Sequence, residues 1–348
     1  MQRYQSSTIE HIKRMNKKTN IAINGFGRIG RLSLRTILKK NILNVVAIND
    51  LTDTKTLAHL FKYDSAQHTF DGEVSHDEHH LIVNGKSILI LNEKQPELLP
   101  WKNLEIDVVL ESTGLFTNKA SAEKHIQAGA KKVLVSAPCS GDVKTIVLGV
   151  NDEALHADDL IISNASCTTN CLAPMVKILD DNFGLEKGYM VTVHAFTADQ
   201  KLVDAPHKDL RRARAASVNI IPTTTGAAKA VTEVLPHLKG KINGNSMRVP
   251  VVTGSITDFT AVLKKTTTIE EINAAFKKNA EGNLKGILQY TTDPLVSSDI
   301  IGNPHSCIFD AESTMAIDGQ FVKIIGWYDN EFGYSNRIAD LLEKMIQI

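Results

Sequence analysis

The sequence predicts an α/β protein of two domains, the first built on an open, doubly wound parallel sheet. Three observations carry that expectation. The chain has 348 residues, room for about two domains, each with its own core. A strand, a glycine-rich turn, a helix and a second strand follow one another between residues 20 and 50. Strand and helix signals then go on alternating. Composition agrees, with 43% hydrophobic and 22% charged residues, as in an ordinary globular protein. Lys plus Arg and Asp plus Glu both number 39, so the net charge is zero and no bulk charge points to nucleic acid or anionic membrane. No apolar run approaches the roughly 20 residues of a membrane-spanning helix. The four cysteines (Cys139, Cys167, Cys171, Cys307) are too few for a disulfide scaffold and suit a reducing compartment. The expectation is a cytoplasmic enzyme with no dedicated nucleic-acid or membrane binding.

Residues 1–19 read as a disordered leader. Arg3, Lys13, Arg14, Lys17 and Lys18 stand against a single Glu10, with no apolar stretch for a secretory signal. Ser6, Ser7 and Thr8 would suit an organelle transit peptide, but the stretch is short and poor in Arg for one; Met15 is an alternative start.

The first strand is Asn20–Asn24, followed at once by Gly25-Phe-Gly-Arg-Ile-Gly30. Ile29, Leu32, Ile37 and Leu38 then cover one face of a helix. A second strand over 44–50 ends in Asp50, 20 positions after Gly30. Each piece has a physical job. Gly25 permits the tight turn, Gly27 lets backbone approach a pyrophosphate, and Gly30 lets helix and strand pack closely. The free N–H groups of the helix start suit phosphates. Asp50 suits ribose hydroxyls and would repel a 2′-phosphate, which favours NAD over NADP. Asn84-Gly85 between apolar runs predicts a hairpin. Runs at 106–110 and 132–135 deliver Thr113 and Ser136 to the ligand edge of the sheet. There they would contact the cofactor or serve as caps and turns.

Ser163-Asn-Ala-Ser-Cys-Thr-Thr-Asn-Cys171 is a small polar loop feeding a helix with Leu172, Met175, Val176 and Leu179 on its apolar face. Cys167 falls at the helix N-terminus, where dipole and N–H groups favour a thiolate. Pro174 predicts a kink that leaves the first turn as a short collar. Cys171 reads as a small buried hydrophobe, since no Cys/His cluster supports a CxxxC metal pair. A nucleophilic thiol needs a base. His194 ends the strand-like run 189–193, although spacing alone favours a structural role for any one of the twelve histidines.

With these residues in view, the chain resembles the bacterial-type, NAD-dependent phosphorylating glyceraldehyde-3-phosphate dehydrogenases. The stretches that carry the resemblance are Ile23–Arg31, Ser163–Pro174, Asn219–Ala230 and Trp327–Ser335, and their order fits from about Asn20 to Ile348. It implies a Rossmann-type NAD-binding domain over 20–166 plus 331–348, the latter carrying the apolar stripe Ile338, Leu341, Leu342 and Met345. An α+β catalytic domain with a mostly antiparallel sheet would span 167–330. By resemblance Cys167 is the nucleophile and His194 the partner that activates it. Ser166, Thr168, Thr225 and Gly226 match positions that hold inorganic phosphate. Thr197, Asp199 and Arg248 match those for the substrate's own phosphate, with Arg212 (or its neighbours Arg211 and Arg214) a further phosphate contact. Arg28, Ile29, Asp50, Lys94, Ser136 and Asn330 match cofactor positions, Lys94 standing where many relatives have arginine. Residues 201–221 resemble the loop that reaches a neighbour's cofactor in a homotetramer. The chain departs from its relatives at Val251–Asp258, a strand that borders subunit contacts and is not expected to touch the catalytic pair.

The chemistry implied is attack of the Cys167 thiolate on the aldehyde carbon of glyceraldehyde 3-phosphate. His194 would take the hemithioacetal proton as hydride leaves for nicotinamide, and inorganic phosphate would then cleave the thioester. An erythrose-4-phosphate dehydrogenase, an NADP-using form, or a non-catalytic adhesin or binding role are the alternatives.

Overall fold

The computed structural model describes residues 19–41 and 43–348. The predicted leader therefore lies, but for Thr19, outside the described residues. The first unit opens with β1 (Asn20–Asn24), α1 (Arg28–Lys40), β2 (Asn44–Asn49) and α2 (Thr54–Lys62). The predicted hairpin follows, as part of β3 (Val74–His76), β4 (His80–Val83) and β5 (Lys86–Leu91). Then come β6 (Val108–Glu111), α3 (Lys119–Gln127), β7 (Lys132–Val135), β8 (Lys144–Thr145) and β9 (Ile161–Ser163). They form one sheet in the order β3-β4-β5-β2-β1-β6-β7-β9-β8. It is parallel from β5 to β8, with β3 and β4 antiparallel at one edge. Strand order runs one way from β1 through β2 and the other way through β6. The crevice at the carboxyl ends of β1 and β6 is thus the topological switch point, where ligands bind in such sheets.

The second unit begins with α4 (Cys167–Phe183) and β10 (Leu185–Ala195). It continues through β11 (Ile221–Thr223), α5 (Ala227–Val234), β12 (Ile242–Val249), β13 (Ser255–Leu263) and α6 (Ile269–Glu281). Strands β14 (Leu288–Thr291), β15 (Cys307–Ile317) and β16 (Phe321–Tyr328) complete a sheet ordered β11-β12-β10-β13-β16-β15-β14. This sheet is antiparallel except for the β10/β12 and β14/β15 pairs. Alternate residues of β13 are buried, so one face meets the core beneath α4. Finally α7 (Phe332–Gln347) returns to pack on α1, burying Ile338, Leu341, Leu342 and Met345 as the stripe predicted.

Helix α4 runs over 17 residues with Pro174 inside it. Proline cannot give the bond to the Asn170 carbonyl, and its ring crowds that carbonyl. Around it Cys171, Leu172, Ala173, Met175 and Val176 are fully buried, and that packing keeps the helix continuous.

Candidate active site

The loop before α4 turns sharply. Ala165, wholly buried, has a left-handed backbone with φ 53°, a conformation strained for an L-residue with a Cβ. Bonds pin it on both sides. Its N–H donates to Ser163 Oγ at 3.0 Å, and its carbonyl accepts from the Tyr334 hydroxyl of α7 at 2.9 Å. Ser166 then caps the helix, accepting from Thr169 N at 3.1 Å. Cys167 follows as the first residue of α4, half-buried, with Sγ 3.5 Å from His194 Nε2. The predicted pair is therefore assembled from a helix start and a strand end.

The register of β10 explains His194's surroundings. In the parallel pairing His194 lies opposite Arg248 of β12. Arg248 Nη1 sits 2.9 Å from His194 Nδ1 and donates to Ala195 O and Thr197 Oγ1, each at 3.1 Å. His194 Nδ1 is also 2.7 Å from Ala195 O. Nδ1 thus lies between a guanidinium, which only donates, and a carbonyl, which only accepts; the tautomer protonated on Nδ1 and bonded to Ala195 O is the one that leaves the Nε2 lone pair facing the thiol. Burial, reinforced by the Arg248 charge, drives His194 down to about 3. Burial also pushes Cys167 up to about 11, although Arg248 and Thr168 pull it down. Burial thus opposes the charged form of each member, thiolate and imidazolium alike, and Arg248 is the charge that favours the thiolate.

Beyond His194 lies an anion-sized constellation. Arg212 Nη1 meets Asp199 at 2.6 Å and its Nε donates to Thr223 Oγ1 at 3.0 Å. The hydroxyl of Thr197 also donates to Asp199. Burial opposes the Asp199 charge, but the Thr197 hydrogen bond and the two arginines hold its carboxyl below its usual range. Of the three candidate arginines Arg212 is the one that joins this group; Arg214 pairs with Asp204. Gly226 starts α5 without a side-chain cap, and Thr225 Oγ1 accepts from Ala227 N. Thr168 is the exception, since its hydroxyl is turned inward to Tyr328 OH at 2.9 Å. What it can offer an anion is its backbone N–H.

At the switch point, Gly25 has φ 92°, and an added Cβ would lie 2.6 Å from Thr113 N. Gly27 caps α1 with no side chain, and a Cβ there would meet nothing within 4 Å. Open space thus adjoins Gly27 at the uncapped first turn of α1. The Arg28 side chain itself is committed elsewhere, to Asp64 and Glu331. Asp50 stands just past β2, its Oδ2 accepting from Phe26 N at 2.8 Å. Ser136 donates to Glu111 O and Thr113 to the Glu111 carboxylate, so both hydroxyls also make the turn bonds foreseen for them. Lys94 is exposed beyond β5. Asn330 Oδ1 accepts from Gly254 N at 3.1 Å and Ser255 Oγ at 2.9 Å, which orients its amide.

The divergent strand 251–258 borders the catalytic pair through its neighbours, because Ser255 Oγ also accepts from the N–H of Ala195, next to His194. Tyr334, Ser255 and Gly254 were not legible as site residues: Tyr334 meets Ala165 across 169 positions of sequence. The one local sign was the glycine. Gly254 has φ 89°, and an added Cβ would lie 2.4 Å from Ser297 O.

Comparison with known proteins agrees with this geometry. The family model for the glyceraldehyde 3-phosphate dehydrogenase NAD binding domain matches residues 19–119, and that for the C-terminal domain matches 166–330. Glyceraldehyde-3-phosphate dehydrogenase 2 of Streptomyces avermitilis is 58% identical over 323 residues, 92% of this chain and 96% of that one. The enzyme of Clostridium pasteurianum is 55% identical over 335 residues, covering 95% and 99%. That of Geobacillus stearothermophilus is 56% identical over 322 residues, covering 92% and 96%. The chain belongs to the glyceraldehyde 3-phosphate dehydrogenase family. As in that family, its cofactor is NAD, and the residues at the switch point fit one. The Cβ-free Gly27 and uncapped α1 N-terminus suit a pyrophosphate, and the anchored Asp50 carboxylate suits a ribose without a 2′-phosphate. No group of three or more His, Cys, Asp or Glu among the described residues could hold a metal. No described helix is long and apolar enough to cross a membrane.

Proposed function

We propose that the chain catalyses the NAD-dependent oxidative phosphorylation of D-glyceraldehyde 3-phosphate to 1,3-bisphosphoglycerate, in glycolysis and gluconeogenesis. The observation that carries this reading is the Cys167–His194 contact lying between two groups of anion-binding donors. Arg248 and Thr197 hold the substrate's phosphate, with Asp199, an acceptor only, orienting the Thr197 hydroxyl and Arg212, which bridges to the second site. Ser166, Thr225, Gly226 and the Thr168 N–H hold inorganic phosphate. Cys167 Sγ attacks the aldehyde carbon and its proton passes to the new hydroxyl. His194 Nε2 then takes that hydroxyl proton as the carbonyl reforms. Bound NAD supplies the hydride acceptor for this step. Phosphate oxygen attacks the resulting thioester, the C–S bond breaks, and the proton held on His194 returns to the sulfur. Asn330, with its amide oxygen already engaged, offers its NH2 group to the cofactor, alongside Arg28 and Ile29 N–H, Asp50, Lys94, Thr113 and Ser136.

The second anion site favours this over the erythrose-4-phosphate reading, whose acyl product goes to water. Absorbance of reduced nicotinamide is followed with glyceraldehyde 3-phosphate and NAD or NADP, with and without phosphate. Phosphate-dependent NAD reduction supports the proposal. Phosphate-independent turnover or NADP preference overturns it, and inactivity of protein with reduced Cys167 leaves the binding role. Large apolar side chains exposed along 201–221, including Leu202, Leu210, Val218 and Ile220, support assembly as a homotetramer. Light scattering that finds a monomer at micromolar concentration would refute that part.

A further inference from the structure

Four strand ends border the dinucleotide crevice, and one buried side chain reaches toward all of them. Glu111 is the last residue of β6 and is 1% exposed. Its Oε1 accepts from Thr113 N at 2.8 Å and from the Thr113 hydroxyl. Its Oε2 accepts from Asn24 Nδ2 at 2.6 Å and His125 Nε2 at 3.0 Å. Trp101 Nε1, a donor only, points at His125 Nδ1 from 3.0 Å. That fixes the imidazole proton on Nε2, so His125 can only donate to the carboxylate. On the other side Asn24 Oδ1 accepts from Asn49 Nδ2 at 2.7 Å. Asn49 in turn clasps the backbone of Glu93, its Nδ2 donating to Glu93 O at 2.9 Å and its Oδ1 accepting from Glu93 N at 2.8 Å.

The chain of bonds therefore crosses β5, β2, β1 and β6, which are consecutive in the sheet. Each member sits beside a residue of the cofactor site: Asn24 precedes Gly25, Asn49 precedes Asp50, Glu93 precedes Lys94, and Glu111 holds Thr113 directly. Backbone pairing along parallel strands fixes their spacing but not how far each end projects into the crevice, because the loops leave the sheet there. A single carboxylate with four donors does fix it. Every polar atom of the relay is matched donor to acceptor, a condition under which a buried network rigidifies its surroundings.

We infer that Glu111 is a positioning residue for the dinucleotide: through Asn24, Asn49 and Thr113 it sets the Gly25 turn, Asp50, Lys94 and Thr113 in the relative places that NAD requires, without touching it. The inference rests on NAD occupying the switch-point crevice. It also accounts for a histidine and a tryptophan buried far from Cys167, which the reaction does not use.

Glu111→Gln keeps the shape but turns an NH2 group toward donors on one side of the relay. Asn49→Asp keeps the shape and replaces the donor to Asn24 Oδ1 and Glu93 O by an acceptor. Each mismatched donor or acceptor breaks the relay and misplaces the strand ends, so NAD dissociation constants measured by protein fluorescence should rise about tenfold or more in each variant. Turnover at saturating NAD, the KM for phosphate and the rate of Cys167 alkylation should stay within about twofold of the parent. Because both act through one relay, the double variant should bind NAD no more than about twofold worse than the weaker single variant. Parental NAD affinity in both variants would overturn the inference alone. So would parallel losses in NAD, phosphate and alkylation parameters, the signature of general loosening. Failure of the unaltered chain to bind NAD would instead overturn the cofactor reading and the inference with it.

Discussion

Cys167 and His194 acquire their chemistry from neighbours that no local pattern announces. Burial sets both pKa values, and Arg248, opposite His194 in the β10/β12 register, lowers both at once. Replacing Arg248 by Met should therefore raise both, moving the pH profile of Cys167 alkylation by iodoacetamide to higher pH. Arg248→Lys should largely restore it. A profile unmoved, or moved to lower pH, would show that the guanidinium charge does not reach the sulfur. Tyr334 makes a second residue-scale case. Without its hydroxyl the strained Ala165 loses the partner of its carbonyl, a cost of about 1–3 kcal/mol for a buried acceptor. Tyr334→Phe is expected to lower the Cys167 alkylation rate several-fold. Adding Ala165→Gly, which tolerates positive φ, should recover much of that loss. Equal rates in parent and Tyr334→Phe would show that the clamp is idle.

At the scale of elements the sequence was more forthcoming, for physical reasons. Strands β1 and β7 have the predicted bounds, and β2 ends just before Asp50, which stands free at the ligand edge. Periodicity and turn chemistry act over a few residues, so a reader of the sequence meets them directly. The continuation of α4 past Pro174 rests on tertiary burial, and the inward turn of Thr168 escaped because Tyr328 lies 160 positions away. The glycine turn gives a sharper test of how much a motif says. A Cβ on Gly30 would lie 2.2 Å from Gly25 O, whereas one on Gly27 meets nothing within 4 Å. Gly30→Ala should push α1 off the turn and lower Tm together with NAD binding. Gly27→Ala should leave Tm unchanged or slightly raised and still weaken NAD binding about tenfold or more, since the methyl occupies the space of a phosphate. Titration and thermal melts of the two variants separate the roles. Equal Tm losses, or parental NAD affinity in Gly27→Ala, would refute the assignment of an open cradle.

On the scale of the whole molecule, the site belongs to neither sheet alone. Gly25, Asp50 and Thr113 come from the parallel sheet, His194 and Arg248 from the other, and Asn330 and Tyr334 from the return of the chain into α7. The return of the chain to the first unit is held by charge as well as packing. Arg28, at the start of α1, binds Asp64 beyond α2 and Glu331 before α7, with its Nε 2.8 Å from Glu331 Oε1. The side chains of Asp64 and Glu331 are 2% and 14% exposed and that of Arg28 32%, so solvent screens the guanidinium more than the acids. Arg28→Met would leave two neighbouring, largely buried carboxylates without their cation. Breaking such a pair from the cation side is expected to cost about 1–3 kcal/mol after allowing for that screening. The pH dependence follows from the sign of the change. In the parent, burial opposes the Asp64 charge but the Arg28 bond outweighs it, so the folded-state pKa lies below the unfolded value. That contribution is present above the unfolded pKa and fades as pH falls through the folded one. In Arg28→Met both folded-state pKa values should lie above the unfolded ones, so the penalty is full at pH 7 and shrinks as the carboxyls protonate. Calorimetric melts should accordingly show a Tm deficit for the variant that is large at pH 7 and narrows toward pH 4.5. A deficit of constant size across that range would mean that Arg28 acts through packing of its stem, and that charge does not hold the returning chain to the first unit.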